Sequence, residues 1–371
     1  MMMMMMLMMM MKPSGIIQLV ILASLLRCVL ALRPPRSCRK VQTYLDLDLD
    51  ALGFLPPSYD RFGQSGAHLS VDLYTCLDKL PRKWKSLRGR KESKRPLLLF
   101  ACGAPLVSDI DGQSVVVGKA AYSQFATKMA KYGYVVAVME KPVKFLNLNA
   151  AIPDDVKRTM DFVQSEQSPV QGVVDMNVTI LSGHSFGAAT ALYTLVGKCN
   201  PMFCGQGIEM GSNYTDVLRP PEIKAAVLYG GSVFQVQPGP TSDYLREKLF
   251  TNDGIPILLF WGFGDKAVHN EWDGELMDIA SYEQMTPPKY MLVEDGINHD
   301  SIANMVISHF NAIPSLLDRE NQIDRVTRTF HSWIDYEIDL LGDSGGSEDM
   351  EQDVCDHVLH VPNAVDCVYD L

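Results

Sequence analysis

The sequence has no surplus of basic charge. Its 371 residues carry 33 Lys and Arg against 44 Asp and Glu, a formal charge of −11. That balance leaves no strongly positive surface in bulk to neutralise phosphates, which argues against nucleic acid as a partner. Lys and Arg are missing altogether from residues 342–371, where eight acids stand (Asp343, Glu348, Asp349, Glu351, Asp353, Asp356, Asp366 and Asp370). This tail supplies most of the negative excess, and the rest of the chain is close to neutral. Also lacking are a collagen-like glycine period, any internal repeat, and the succession of long apolar runs that marks a multi-span membrane protein. At 47% apolar content the chain can bury a large core. One large domain with two unusual ends is the simplest organisation.

The apolar run near the start, Ser14 to Leu26, follows a methionine run and Lys12 and stops at Arg27, which is short for a bilayer span. It has the form of a signal-peptide core, and Val29-Leu30-Ala31 offers small residues for a cut after Ala31. Residues 1–31 are therefore expected to be a signal peptide, with an uncleaved signal anchor or a bipartite plastid address as alternatives. Residues 32–341 are expected to form the one large domain, and 342–371 an acidic, partly disordered tail. Eight cysteines fit a secreted protein, and Cys28 would leave with the signal. Cys199 with Cys204 and Cys355 with Cys367 are candidate local disulfides, Cys38 with Cys76 is a weaker pair, and Cys102 is left free. The alternative is a set of buried, reduced thiols. The sequon Asn213-Tyr214-Thr215 lies in a loop-like segment suited to a glycan, whereas Asn177-Val178-Thr179 opens an apolar run expected in the core. The basic stretch from Lys79 to Arg95 reads as a solvated hairpin loop, with transient contact to an anionic lipid surface as the functional alternative.

Past Pro34-Pro35 the pattern alternates strand-like and helix-like segments, as in a mostly parallel central sheet with helices on both faces. Ala67 to Cys76 alternates apolar and polar like an antiparallel edge strand. Leu97 to Ala101, Tyr134 to Met139, Val178 to Ser182, Ala225 to Tyr229, Pro256 to Trp261 and Tyr290 to Val293 are short apolar runs of the kind buried on both faces. Helices are expected over 117–132, stopped by Gly133, and from Pro153 to about Gln164, with acids in the first turn. Two more are expected over 186–196 and about 322–341.

Gly183-His184-Ser185-Phe186-Gly187 has the Gly-x-Ser-x-Gly form of a nucleophile elbow, with a strand before it and a helix directly after. The glycines are needed because a serine on a strained strand-to-helix turn leaves no room for side chains two residues to either side. A serine hydroxyl is a poor nucleophile unless a base takes its proton and a third group orients that base. Gly262-Phe263-Gly264-Asp265 places a carboxylate after one strand, and Glu294-Asp295-Gly296-Ile297-Asn298-His299 places an imidazole after the next. Both lie at the carboxyl edge, where chemistry in open α/β sheets gathers. Asp265 is the expected orienting acid and His299 the expected base. Glu271 and Asp273 are rivals for the acid, but they are expected one turn into a following helix. His184 is expected to pack into the sheet, and His269, His309 and His331 to sit in helical or surface positions. The developing oxyanion needs two backbone N–H donors. Phe186 supplies one, and Ala104 is the candidate for the other because Pro105 has no N–H.

These segments resemble the branch of the α/β-hydrolase superfamily that holds platelet-activating-factor acetylhydrolases, chlorophyllases and cutinase-like polyesterases. The resemblance spans about Ala67 to Leu341. It is carried by Phe100-Ala101-Cys102-Gly103, by Lys131-Tyr132-Gly133-Tyr134-Val135-Val136-Ala137, and by Gly183-His184-Ser185-Phe186-Gly187-Ala188-Ala189-Thr190. It implies the α/β-hydrolase fold and a serine esterase. Where the family usually reads His-Gly, this chain has Cys102-Gly103. Plasma-type acetylhydrolases carry their acid after the sixth strand, where this chain has Gly230-Gly231-Ser232, and Asp265 after the seventh is closer to the polyesterase and dienelactone-hydrolase arrangement. Chlorophyllases usually have Arg where Phe186 stands.

The expected reaction is hydrolysis of a carboxylic ester through an acyl-enzyme, with no metal and no cofactor. Phe145, Leu146, Phe186 and the segment Cys199 to Glu222 are expected to line or roof an apolar cleft for a small hydrophobic ester, and core packing is the other reading of them. The resemblance leaves a chlorophyllase or a platelet-activating-factor acetylhydrolase-type phospholipid esterase as an alternative, and those of another class are an acyltransferase using the same acyl-enzyme and a catalytically silent binding protein of the same fold.

Overall fold

The computed structural model describes residues 69–76, 94–103, 119–140, 153–199, 215–231, 252–263, 265, 282–283, 285–304 and 316–342, together with short strand segments elsewhere. The expected signal segment, the basic stretch from Lys79 to Lys91 and the sequon at Asn213 lie outside the described residues.

Nine strands form one mixed sheet: β1 (Cys38–Val41), β2 (Ser70–Cys76), β3 (Arg95–Ala101), β4 (Val135–Glu140), β5 (Val174–His184), β6 (Ile223–Tyr229), β7 (Ile257–Gly262), β8 (Lys289–Glu294) and β9 (Ala364–Asp370). Their spatial order is β1-β2-β4-β3-β5-β6-β7-β8-β9. The six strands from β4 to β8 in that order pair in parallel, while β1, β2 and β9 pair antiparallel at the two sides. The four described α-helices are α1 (Ser123–Tyr132), α2 (Pro153–Gln164), α3 (Phe186–Val196) and α4 (Leu316–Gly342). The class is α/β, as the alternation of segments implies. No helix among the described residues is long and apolar enough to cross a membrane.

The parallel strands read as continuous apolar runs because both faces are covered. Along β3, Leu97 and Leu99 enter one core with α2 and α3, and Leu98 and Phe100 enter the other with α1 and α4. Helix α4 delivers Ile323, Val326, Phe330, Trp333 and Ile334 to that second core, at the three- and four-residue spacing of one helix face. Phe330 meets Phe125 edge-on, with centroids 5.0 Å apart. Helix α1 stops at Gly133, which takes φ 109° and donates its N–H to the Ala130 carbonyl at 3.1 Å.

Within the acidic tail, residues 364–370 form β9 and pair antiparallel with β8. Two expectations need correction. Strand β2 is not an edge strand, since β1 pairs outside it. Glu271 lies in a two-residue strand paired with Glu275–Leu276 rather than in a helix, and Asp273 lies outside the described residues. Cys76 and Cys199 are disulfide-bonded to partners outside the described side chains, with Cys38 opposite Cys76 in the β1–β2 register. Cys102 is free and buried.

Candidate active site

The carboxyl ends of β5, β6, β7 and β8 deliver the expected residues to one edge of the sheet. Ser185 follows β5 directly and caps α3, with φ 54° and ψ −122°. A serine held at such angles stores roughly 1–3 kcal/mol of strain, which persists only if the surroundings dictate it. They do so sterically. A Cβ on Gly183 would lie 2.2 Å from the Gly187 carbonyl oxygen, and one on Gly187 would lie 2.1 Å from that of Ala101. Helix α3 therefore starts hard against the end of β3, and both flanking positions must be glycine. The Ser185 N–H donates to the Tyr229 carbonyl at 3.0 Å, which ties the turn to β6. Ser185 and Phe186 are half-buried.

Asp265 follows β7 and His299 follows β8, and their side chains meet. His299 Nδ1 lies 2.9 Å from Asp265 Oδ2 and 3.1 Å from Oδ1, with both residues buried. Because a carboxylate accepts, Nδ1 carries the proton and Nε2 keeps its lone pair. Burial opposes charge on the His299 ring, but the Asp265 charge and hydrogen bond, helped by Asp300, outweigh it and raise the ring above its ordinary pKa.

The glycine pair after β6 links this couple to the serine turn. A Cβ on Gly230 would sit 3.0 Å from His299 Nδ1 and 3.1 Å from Asp265 Oδ2, while a Cβ on Gly231 would sit 3.1 Å from the Ser185 carbonyl oxygen and 2.2 Å from Ala188 Cβ. Two adjacent residues thus touch both parts of the site. The ring of His184, the residue before Ser185, is 4.6 Å from that of His299. The bare backbone at Gly230 leaves space for a carboxylate arriving from β7.

Phe186 opens α3, so its N–H belongs to the first turn, where a helix has no internal acceptor and its dipole is positive. Ala104, Phe145 and Leu146 lie outside the described residues. The N–H groups just before Ala104 are committed elsewhere: that of Cys102 donates to the Met139 carbonyl and that of Gly103 to Tyr122 Oη, each at 3.1 Å. His331 stacks on Tyr132 at 4.0 Å in a structural role, and His269 and His309 lie outside the described residues. Among the described residues no group of three His, Cys, Asp or Glu is placed to hold a metal ion.

Sequence reasoning missed four supports around His299. Tyr229 Oη donates to the Asn298 carbonyl at 2.6 Å. From α4, Arg325 donates to Glu294 Oε1 at 2.5 Å and to the Asp295 carbonyl at 2.6 Å. Gln322 accepts from Ser301 at 2.8 Å, and Arg319 reaches the carbonyls of Asp300 and Ala303 at 3.4 and 3.3 Å. Residues 319, 322 and 325 share one helix face, and that spacing was the available signal. Compared with known proteins, the chain matches no family model and no curated protein.

Proposed function

We propose that the chain is a serine hydrolase of the α/β-hydrolase fold that cleaves a carboxylic ester through an acyl-enzyme. The observation that carries this reading is the buried Asp265–His299 pair, joined across the adjacent Gly230 and Gly231 to a serine at φ 54° on a strand-to-helix turn. Their order along the chain, serine then acid then histidine, is that of hydrolases built on a Gly-x-Ser-x-Gly turn.

In this reading His299 Nε2 takes the Ser185 proton as Oγ attacks the ester carbonyl, and Asp265 stabilises the imidazolium. The carbonyl oxygen gathers negative charge toward the Phe186 N–H, with Ala104 the next N–H in line on the loop after β3. Collapse of the tetrahedral species breaks the ester C–O bond as His299 returns the proton to the departing alcohol. Water, deprotonated by the same imidazole, then releases the acid and restores Ser185.

A hydrophobic ester fits the apolar rim. Phe263, two residues before Asp265, is 58% exposed, and Phe186 is half-buried beside the nucleophile. Placement of the acid after β7, with bare glycines after β6, favours a polyesterase-like arrangement over that of the plasma acetylhydrolases. The disulfide-bonded Cys76 and Cys199 suit an oxidising compartment and so support export. A fluorophosphonate probe tests the central claim. Wild type is expected to be labelled and Ser185→Ala not, and unlabelled wild type is expected to hydrolyse p-nitrophenyl esters and to lose that activity on labelling. Equal labelling of both, or labelling of neither, refutes the assignment.

A further inference from the structure

His184 sits next to the candidate nucleophile, yet its ring is 1% exposed. It stands between the two loops that the hydrolase reading requires. On one side Nδ1 lies 2.9 Å from Tyr122 Oη, and on the other the ring faces that of His299 at 4.6 Å. Tyr122, itself buried, accepts the Gly103 N–H at 3.1 Å. The contact with the loop is direct, since a Cβ on Gly103 would meet His184 Nδ1 at 3.0 Å and Tyr122 Oη at 3.1 Å.

One direction in this chain of hydrogen bonds is fixed by chemistry. A backbone N–H only donates, so Tyr122 Oη accepts from Gly103. One hydrogen is shared between Tyr122 Oη and His184 Nδ1, and the phenol gives it when the ring proton is on Nε2. That nitrogen has no well-formed hydrogen-bond partner, but the main chain of His299 is near enough to favour a proton on the ring. Burial, and then the charge on His299, hold His184 well below the usual histidine range, so the ring stays neutral. Neutrality matters, because a cation there would repel the imidazolium that forms on His299 during acyl transfer.

We propose that Tyr122 and His184 are positioning residues, a buried strut that fixes the separation between the Gly103 loop, which leads into the oxyanion side of the site, and the imidazole of His299. The strut rests on the hydrolase reading above. It acts through the loop and through His299 without touching substrate. Small displacements are costly in such a site, since a misplacement of about 1 Å can lower the rate about a hundredfold.

The experiment measures p-nitrophenyl butyrate hydrolysis and fluorophosphonate labelling, with active sites titrated so that rates refer to folded enzyme. The proteins are wild type, Tyr122→Phe, His184→Leu, His184→Asn, the Tyr122→Phe/His184→Leu double variant and Phe125→Leu. Phe125 packs its ring against those of Phe100 and Phe330 in the same core, and its variant supplies the control for lost stability. Tyr122→Phe and His184→Leu are expected to lower kcat about tenfold to a hundredfold while KM stays within about threefold. The double variant should be no worse than His184→Leu alone, because one broken strut cannot be broken twice. His184→Asn, which keeps an acceptor near the Nδ1 position, should recover part of the loss, and Phe125→Leu should keep its kcat at an equal loss of melting temperature. If wild type is labelled but Tyr122→Phe stays within about twofold of it, or if Phe125→Leu loses as much kcat, the strut is refuted and the hydrolase reading stands. If wild type is not labelled, both fall together.

Discussion

The guanidinium of Arg325, on the last helix, holds the carboxylate of Glu294, which ends the strand leading to His299, at 2.5 Å. Glu294 is fully buried, and burial pushes its pKa up while Arg325 pulls it back. Removing only the cation strands a charge in the core, which typically costs about 3–5 kcal/mol. Arg325→Met is therefore expected to destabilise the protein by about that much in urea and to lower kcat, since the same side chain ties down the Asp295 carbonyl. Glu294→Gln/Arg325→Met should recover most of the stability. A double variant as unstable as the single one would show that packing by the arginine stem, rather than charge pairing, holds this loop.

The Asp265–His299 pair makes a prediction about pH. Only the neutral imidazole can accept the serine proton, so kcat/KM falls as pH drops through the His299 pKa, which lies above the ordinary 6.5. Asp265→Asn removes the main cause of that elevation and leaves burial, which acts the other way, so the acid limb should move to lower pH. The rate at its plateau should fall by about 10⁴, as the ring loses the partner that selects its tautomer. A profile measured between pH about 5 and 9 checks both effects. An unmoved limb would mean that a different group carries the acid.

Gly230 tests how closely the site is packed. Its φ of +57° already disfavours a side chain, and a Cβ would crowd both His299 and Asp265. Gly230→Ala is expected to cost about 1–2 kcal/mol of stability for the backbone alone. The loss of kcat should exceed what lost folded enzyme explains, because the new methyl pushes on the imidazole. The decisive comparison is with Gly254→Ala, which has φ +73° but nothing within 4 Å of its Cβ. That variant should lose stability and keep its kcat.

The extent of what the sequence revealed follows from the range of the forces involved. Strands such as β3 and β7 and helices α2 and α3 were legible because local periodicity and caps write them, and Ser185, Asp265 and His299 because each sits at a strand end in a glycine-rich turn. The tail strand β9 was not, because its acidic, glycine-rich approach reads as unstructured and only pairing with β8, some seventy residues earlier, makes it a strand. Tyr122 and Tyr229 escaped for the same reason. Each looks like an ordinary core aromatic until its hydroxyl is seen to meet the His184 ring or the Asn298 carbonyl, 62 and 69 residues away.

Glu337 links stability to pH from near the end of the last helix. It is 2% exposed, and burial raises its pKa from 4.5 to about 7, with the Tyr290 phenol beside it offsetting only part. An acid whose folded pKa is raised favours the native state while it stays protonated. Below pH 4.5 both states hold the proton and stability is intact. Between there and about 7 the unfolded chain ionises while the native state does not, so stability declines, and above about 7 the full penalty applies. At 1.36 kcal/mol per pKa unit that penalty is roughly 3 kcal/mol. Urea unfolding at pH about 5 and about 8.5 should therefore show wild type losing stability relative to Glu337→Gln, which cannot ionise. Parallel curves for the two proteins would mean that Glu337 ionises as readily in the folded protein as in the unfolded chain.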